Sequence, residues 1–310
     1  MKILVTGADG FLGAAVTRAL LTRGDAVVAF DTRMSERHRA PASQLTQVLG
    51  DITDMAALAR VMLETRPDAV LHAAAIVGVL SSLGSPVHIV RVNVEGSLNV
   101  FEAMRLAGVR RCIHVSSEEA YGEFRADPIP ETHPLDPAMP YGICKAAVEQ
   151  LGRTYRDLHA LEVINLRTSW VYGPRLPRDR VPKTLLEAAI AGRALHVPSG
   201  ADVAIDHTYI DDFVSGVLAA LDHSAHHFDA YNIASGQATT LAQMIEIVRA
   251  LVPGAQLSAG PGPYRHGDRV EAVKKGALDV SRAKAELGWA PQYDMRAGLE
   301  AYLGGLQKQR

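Results

Sequence analysis

The chain has 310 residues, 48% of them hydrophobic and 21% charged, with a formal net charge of −2. This is ordinary globular composition, long enough for one large α/β unit and a smaller lobe, and the near-neutral balance argues against nucleic acid or a membrane as partner. Two cysteines without paired spacing, Cys112 and Cys144, argue against a disulfide framework and against a metal site.

The sequence opens on an apolar run, Ile3-Leu4-Val5. No basic leader stands before it and no stretch reaches membrane-spanning length, so a cytoplasmic location is expected. Short apolar runs then alternate with helical patterns. Strands are expected at Ile3–Thr6, Ala26–Phe30, Gln47–Leu49, Ala69–His72, Cys112–Ser116 and Val163–Arg167. Helices are expected between them at Leu12–Arg23, Met55–Thr65, Pro86–Ala107 and Tyr141–His159. That alternation predicts an α/β fold with a doubly wound parallel sheet of the Rossmann type.

After Val171 the pattern changes to a proline- and arginine-rich loop, 173–182. Helices are expected at Lys183–Ala191, around Asp211–Leu221, and at Leu241–Leu251, Ser281–Leu287 and Met295–Leu306. The expected division is a cofactor domain over 1–170, with about 204–230 returning to it. Residues 171–203 and about 231–310 then form a smaller C-terminal substrate-binding lobe of discontinuous segments.

Gly7, Gly10 and Gly13 lie between the first strand and the first helix. Glycine there permits a tight turn and lets a pyrophosphate approach the backbone at a positive helix N-terminus. Asp31 ends the second strand, where a carboxylate accepts hydrogen bonds from ribose hydroxyls and repels a 2′-phosphate, favouring NAD over NADP. Arg33, Arg37 and Arg39 weigh the other way, and Asp31 capping a turn is the plainer alternative. Asp51 suits an adenine edge and Ala73, Ala74 and Ala75 suit passage of a cofactor, but a turn and tight packing explain them equally well.

Tyr141 and Lys145 are one helical turn apart. A phenol, with its pKa near 10, becomes a base at neutral pH only when positive charge stabilises the phenolate; a lysine and an oxidised nicotinamide supply that charge. Ser117 would hold the same substrate oxygen. By itself the pair would be incidental, but the glycine loop and Asp31 precede it in order.

In these motifs the chain resembles the extended short-chain dehydrogenase/reductase superfamily, specifically its NAD-dependent epimerase/dehydratase family. The marks run through Gly7–Gly13, Asp31, Gly50-Asp51-Ile52, His72–Ala75, Asn93, Ser116-Ser117, Ala120-Tyr121-Gly122 and Tyr141/Lys145. They continue through Val171-Tyr172-Gly173-Pro174, Tyr209-Ile210-Asp211-Asp212, Tyr231–Gly236 and Leu287-Gly288-Trp289. The resemblance implies hydride chemistry at Ser117, Tyr141 and Lys145. It implies an NAD site at Gly7, Asp9, Gly10, Phe11, Leu12, Gly13, Asp31, Arg33, Asp51, Ile52, Ala73, Ala74, Ala75, Asn93, Val115, Ser116, Tyr141, Lys145, Ser169 and Val171. It also implies a homodimer through Pro86–Ala107 and Tyr141–His159.

Glu118 and Glu119 resemble the acid pair with which the family's 4,6-dehydratases eliminate water, and both are catalytic candidates. Two departures fall where relatives handle a diphosphate: Trp170 replaces an asparagine and Ile205 an arginine. Ser117, Glu118, Trp170, Arg180, His207 and Arg265 are the expected substrate contacts. The expected activity is NAD-dependent oxidation of a secondary alcohol on a carbohydrate-like substrate, of the epimerase/dehydratase type. Alternatives are a net dehydrogenase of a non-nucleotide substrate such as a sugar acid, and a non-catalytic NAD sensor.

Overall fold

The computed structural model describes residues 1–35, 38, 40–266 and 270–307; Arg37 and Arg39 lie outside the described residues. Six strands fall where the apolar runs predict, most of them a residue or two longer: β1 Lys2–Thr6, β2 Ala26–Asp31, β3 Leu45–Leu49, β4 Ala69–His72, β5 Arg111–Ser117 and β6 Glu162–Thr168. Burial along β1, β4 and β5 is nearly continuous rather than alternating, because helices cover both faces of the sheet. Only the edge strand β3 is largely open to solvent.

All pairings in this sheet are parallel, in the order β3-β2-β1-β4-β5-β6, followed by a seventh strand, Ala230–Ile233, beside β6. This last strand was not anticipated. It is four residues long and follows a histidine-rich stretch, so it gives little periodic signal, and it carries the sheet past residue 230.

The expected helix Pro86–Ala107 is three pieces: Pro86–Val90, one π-helical turn over Arg91–Glu95, and Gly96–Ala107. The wider turn presents the Asn93 side chain to the chain above β4, where its Oδ1 accepts from the Ile76 N–H at 2.8 Å and its Nδ2 donates to the Ile76 carbonyl at 2.9 Å. A short helix, Val79–Gly84, precedes it.

The helix Pro140–His159 is fixed to the sheet by a buried polar knot. Arg167 on β6 donates to both oxygens of Glu149, the shortest contact being 2.6 Å, and Ser116 Oγ on β5 donates to the same carboxylate at 2.6 Å. A fully buried ion pair is tolerated when its remaining hydrogen-bonding capacity is also met, as here. The knot sets the height of Tyr141 and Lys145 above the sheet.

Beyond β6, the helices Lys183–Ile190, Leu241–Leu251 and Met295–Gln307 pack with two small strand pairs, Ala204–Asp206 against Ala238–Thr240 and Leu195–Val197 against Leu257–Ala259. One apolar core runs from Ile3 and Leu71 through Phe213 to Leu299 and Tyr302. Among the described residues no helix is long and apolar enough to cross a membrane.

Candidate active site

The order of strands reverses between β1 and β4, and a cavity of about 1050 Å³ opens at their C-terminal ends. Crevices at such a reversal are where open α/β sheets bind ligands. Gly7 sits at φ +69°, and a Cβ there would lie 2.7 Å from the Ala74 nitrogen; a Cβ on Gly13 would lie 2.0 Å from the Gly7 carbonyl oxygen. Only glycine lets these three backbone segments close up. Gly10 caps the helix Phe11–Arg23 without a side-chain bond, leaving its first N–H groups to a ligand.

Asp31 Oδ2 accepts the Asp9 N–H at 2.9 Å and Oδ1 accepts the Arg33 N–H at 3.2 Å. The carboxylate thus organises the glycine loop and still lines the cavity. Asp51 likewise lines the cavity while holding its own turn, accepting from Thr53 N–H at 2.8 Å. Above β4, Thr6 Oγ1 joins His72 Nδ1 at 2.8 Å and accepts from the Ala74 N–H at 3.3 Å, which steadies the alanine segment. Phe11, Leu12, Arg33, Ile52, Val115, Ser116, Ser169 and Val171 also line the cavity. Asn93 does not, contrary to expectation: its amide is spent on Ile76, so it shapes the wall from behind.

Ser117, Tyr141 and Lys145 meet at the inner end. Lys145 Nζ donates to the Val115 carbonyl at 2.6 Å, lies 3.4 Å from His114 Nε2, and stands 6.0 Å from the centre of the Tyr141 ring. Burial lowers Lys145 to about 8, with Glu149 opposing, so the amine is still an ammonium at neutral pH. Burial pushes the Tyr141 phenol up to about 12, with the Ser117 hydroxyl, Arg178 and Arg180 pulling it down. Among the protein's own groups burial prevails, and the oxidised nicotinamide that the expectation pairs with the lysine would add its positive charge only when bound.

Glu118 and Glu119 face the same chamber and share an unanticipated partner. Lys275 Nζ lies 3.5 Å from Glu118 Oε2 and 3.4 Å from Glu119 Oε2. Glu118 is fully buried with no hydrogen bond to either oxygen; burial raises it to about 7 against the pull of Lys275. Lys275 comes from the far end of the chain, and no local spacing ties it to the acid pair.

Trp170 is buried against the Arg180 guanidinium, 5.0 Å from the ring, with Tyr264 and His207 edge-on at 5.2 and 5.6 Å. His207 stands behind Trp170 rather than on the wall. Its Nδ1 donates to the Ile205 carbonyl at 3.0 Å, and burial lowers the ring to about 4, so it is neutral. Arg265 is turned out of the cavity toward Glu271, 4.0 Å away, while Tyr264 and His266 line it. Arg265 and His266 form a strand, whose residues alternate sides, so the neighbour of Arg265 and not Arg265 itself faces the cavity. Tyr264 and His266 on the cavity wall and Lys275 beside the acid pair are groups that the sequence did not point to.

The NAD dependent epimerase/dehydratase family matches residues 3–234. The UDP-glucose 4-epimerase of Mycolicibacterium smegmatis is 33% identical, covering 96% of each chain, and the dTDP-glucose 4,6-dehydratase of Neisseria gonorrhoeae is 30% identical over 99% of this chain and 94% of that one. The solved structure of the UDP-glucose 4-epimerase of Thermotoga maritima with UDP-glucose superposes with a TM-score of 0.90 at 30% identity, over 100% of this chain and 99% of that one. The Thermus thermophilus UDP-glucose 4-epimerase in complex with NAD gives 0.87 at 28% identity, covering 99% of each chain. With its glycine loop, Asp31 and Tyr141/Lys145 pair around one cavity, the chain belongs to the NAD-dependent epimerase/dehydratase family and is an NAD-dependent enzyme.

Proposed function

We propose that Tyr141 is the base and Ser117 the hydroxyl anchor for oxidation of a secondary alcohol on a carbohydrate, with Lys145 fixing the cofactor side of the site. The observation that carries this is the convergence of the three side chains at the inner end of the glycine-lined cavity. NAD held by the glycine loop and Asp31 would supply the hydride acceptor and, in its oxidised form, a positive charge beside the phenol. Burial keeps Tyr141 protonated until that charge arrives, and this makes deprotonation conditional on a loaded site. Ser117 shares the substrate oxygen, and Lys145, locked to the Val115 carbonyl, cannot swing away.

Glu118 and Glu119 supply the next step in the redox-neutral course, as a base for the C–H beside the new ketone, with Lys275 holding them in place. A second reading, net oxidation, is supported by Ile205 being packed in the core and Arg265 being turned away, which leaves the family's diphosphate positions without a cation in the cavity. Absorbance at 340 nm during turnover separates the two: hydride returned to substrate gives no accumulated NADH, whereas net oxidation gives one NADH per product. The hydride reading itself is wrong if Tyr141→Phe turns over a verified substrate at the wild-type rate.

We place the enzyme in the cytoplasm, on its cysteine usage. We also infer a homodimer, supported by exposed Val87, Val90 and Ile143 on adjoining helices.

A further inference from the structure

Away from the cavity, His223, His226 and Glu286 bring two imidazoles and a carboxylate together. One donor atom from each lies within 4.8 Å of the other two. His223 and His226 follow the helix Ile210–Asp222, and Glu286 stands on the helix Ser281–Leu287. His223 Nε2 is 3.7 Å from Glu286 Oε1, and the two imidazole rings are 5.0 Å apart. His227 adjoins them: its backbone N–H donates to Glu286 Oε1 at 2.7 Å, and its Nδ1 lies 3.3 Å from the same oxygen. None of these four residues lines the cofactor cavity.

The donors are arranged in their ligating forms. His226 Nε2 is 3.0 Å from the Ala220 carbonyl, which can only accept, so that nitrogen carries the proton and Nδ1 keeps its lone pair. Nδ1 lies 3.1 Å from the Tyr231 hydroxyl, and that hydroxyl is also hydrogen-bonded to Glu286. One hydroxyl proton cannot serve two acceptors, so either the imidazole or the carboxylate is left short of a donor. A ring whose far N–H is fixed on a backbone carbonyl is the usual setting of a metal-binding histidine. Burial holds His226 below its ordinary pKa, which keeps the ring neutral. Burial alone would raise Glu286, but the His227 N–H and the Tyr231 hydroxyl outweigh it, so the group is a carboxylate.

The loop that carries the histidines is braced without any ion. Arg111 donates to the carbonyls of Leu221, His223 and Ser224 at 3.1, 2.8 and 3.2 Å. Its charge, which would otherwise repel a cation, is answered by Glu162 at 2.7 Å. Donors around a tetrahedral ion with bonds of about 2.1 Å are separated by about 3.4 Å. The 3.7 Å between His223 and Glu286 is already close to that edge.

From this geometry we propose that His223, His226 and Glu286 bind one divalent transition-metal ion of the zinc class, with His227 turning into the fourth tetrahedral position. Imidazole and carboxylate donors suit Zn²⁺, and no cysteine is needed. The ion would clasp the end of the helix Ile210–Asp222, the entry to the strand Ala230–Ile233 and the helix Ser281–Leu287. The clasp is separate from the hydride-transfer reading.

The test uses full-length, tag-free protein stripped with a chelator, titrated with Zn²⁺ against a chromophoric indicator and with Co²⁺ by visible absorption. One Zn²⁺ per chain is expected, with a Kd of about 10 µM or below, together with a raised thermal midpoint. His226→Ala and Glu286→Gln should each weaken binding by about tenfold or more and abolish the Co²⁺ band. His227→Ala, at an exposed position, should weaken it less, and His196→Ala, at a separate surface histidine, should not change it. NADH affinity within twofold of wild type shows that the variants are folded. Zn²⁺ affinity weaker than about 1 mM, one ion per two chains, or unchanged affinity in both His226→Ala and Glu286→Gln would overturn the clasp while leaving the hydride reading standing. If either of those two variants fails to fold, unchanged Zn²⁺ affinity in His223→Ala overturns it in their place.

Discussion

Tyr141 sits where burial opposes the charge that the proposed base would carry. The nearby cations do not bring the phenol into the neutral range, so its use as a base depends on the loaded site. Replacing it with phenylalanine keeps the packing and removes the proton acceptor. Turnover should fall about 10²- to 10⁴-fold with NAD affinity nearly unchanged, as parallel kinetics and cofactor titration would reveal. Glu118 offers a test by pH. Its folded-state pKa is raised from 4.5 to about 7, so the stability it contributes is full below the unfolded value and lost as pH rises through 7. Glu118→Gln should therefore stabilise the protein at pH 8 by up to about 3 kcal/mol, with the gain shrinking toward pH 5. Lys275 keeps Glu119 as partner in that variant. A gain that is the same at both pH values would show that the carboxyl is not shifted. The serine, tyrosine and lysine were legible because one strand end and one helix turn bring them together. Lys275 was not, since it meets Glu118 only through the tertiary fold.

At the level of elements, the glycine loop has little slack. A methyl on Gly13 would lie 2.0 Å from the Gly7 carbonyl oxygen, so Gly13→Ala must displace backbone. Overpacking of this kind costs about 1–3 kcal/mol, and we expect the variant to melt earlier and to lose NAD binding in the same titration. The helices beside the site make a different prediction. Val87 is 82% exposed and Val90 and Ile143 are 49% exposed each, a poor arrangement for a monomer surface. Val87→Asp should shift the proposed dimer toward monomer in sedimentation equilibrium, and a mass equal to that of wild type would remove these helices as the interface. The main strands were readable because parallel strands buried on both faces are continuous apolar runs. The π-helical turn was not: its cause is the Asn93–Ile76 bonds, a contact between segments that no helical period encodes.

Across the whole molecule, the sheet positions the glycine cradle and the helix that carries Tyr141, while the chain after residue 170 brings Arg178, Arg180, Tyr264 and His266 to the same cavity and Lys275 to the acid pair. Cofactor chemistry was therefore readable early, from motifs confined to single strand–helix junctions. The proposed substrate contacts were not, because they come from loops far apart in sequence, and side-chain direction there depends on local strand alternation. Arg265 and His266 show this at adjacent positions. The central claim is that Tyr141 drives hydride transfer from a carbohydrate alcohol within this cavity. Its most direct test is a rapid-mixing measurement of enzyme-bound NADH at 340 nm, with NAD-loaded wild type and Tyr141→Phe challenged by the same sugar acids and UDP-sugars. A fast rise in wild type, slowed at least about a hundredfold in Tyr141→Phe, is the predicted result; equal rates in the two proteins, or no rise with any of these carbohydrates, would contradict it.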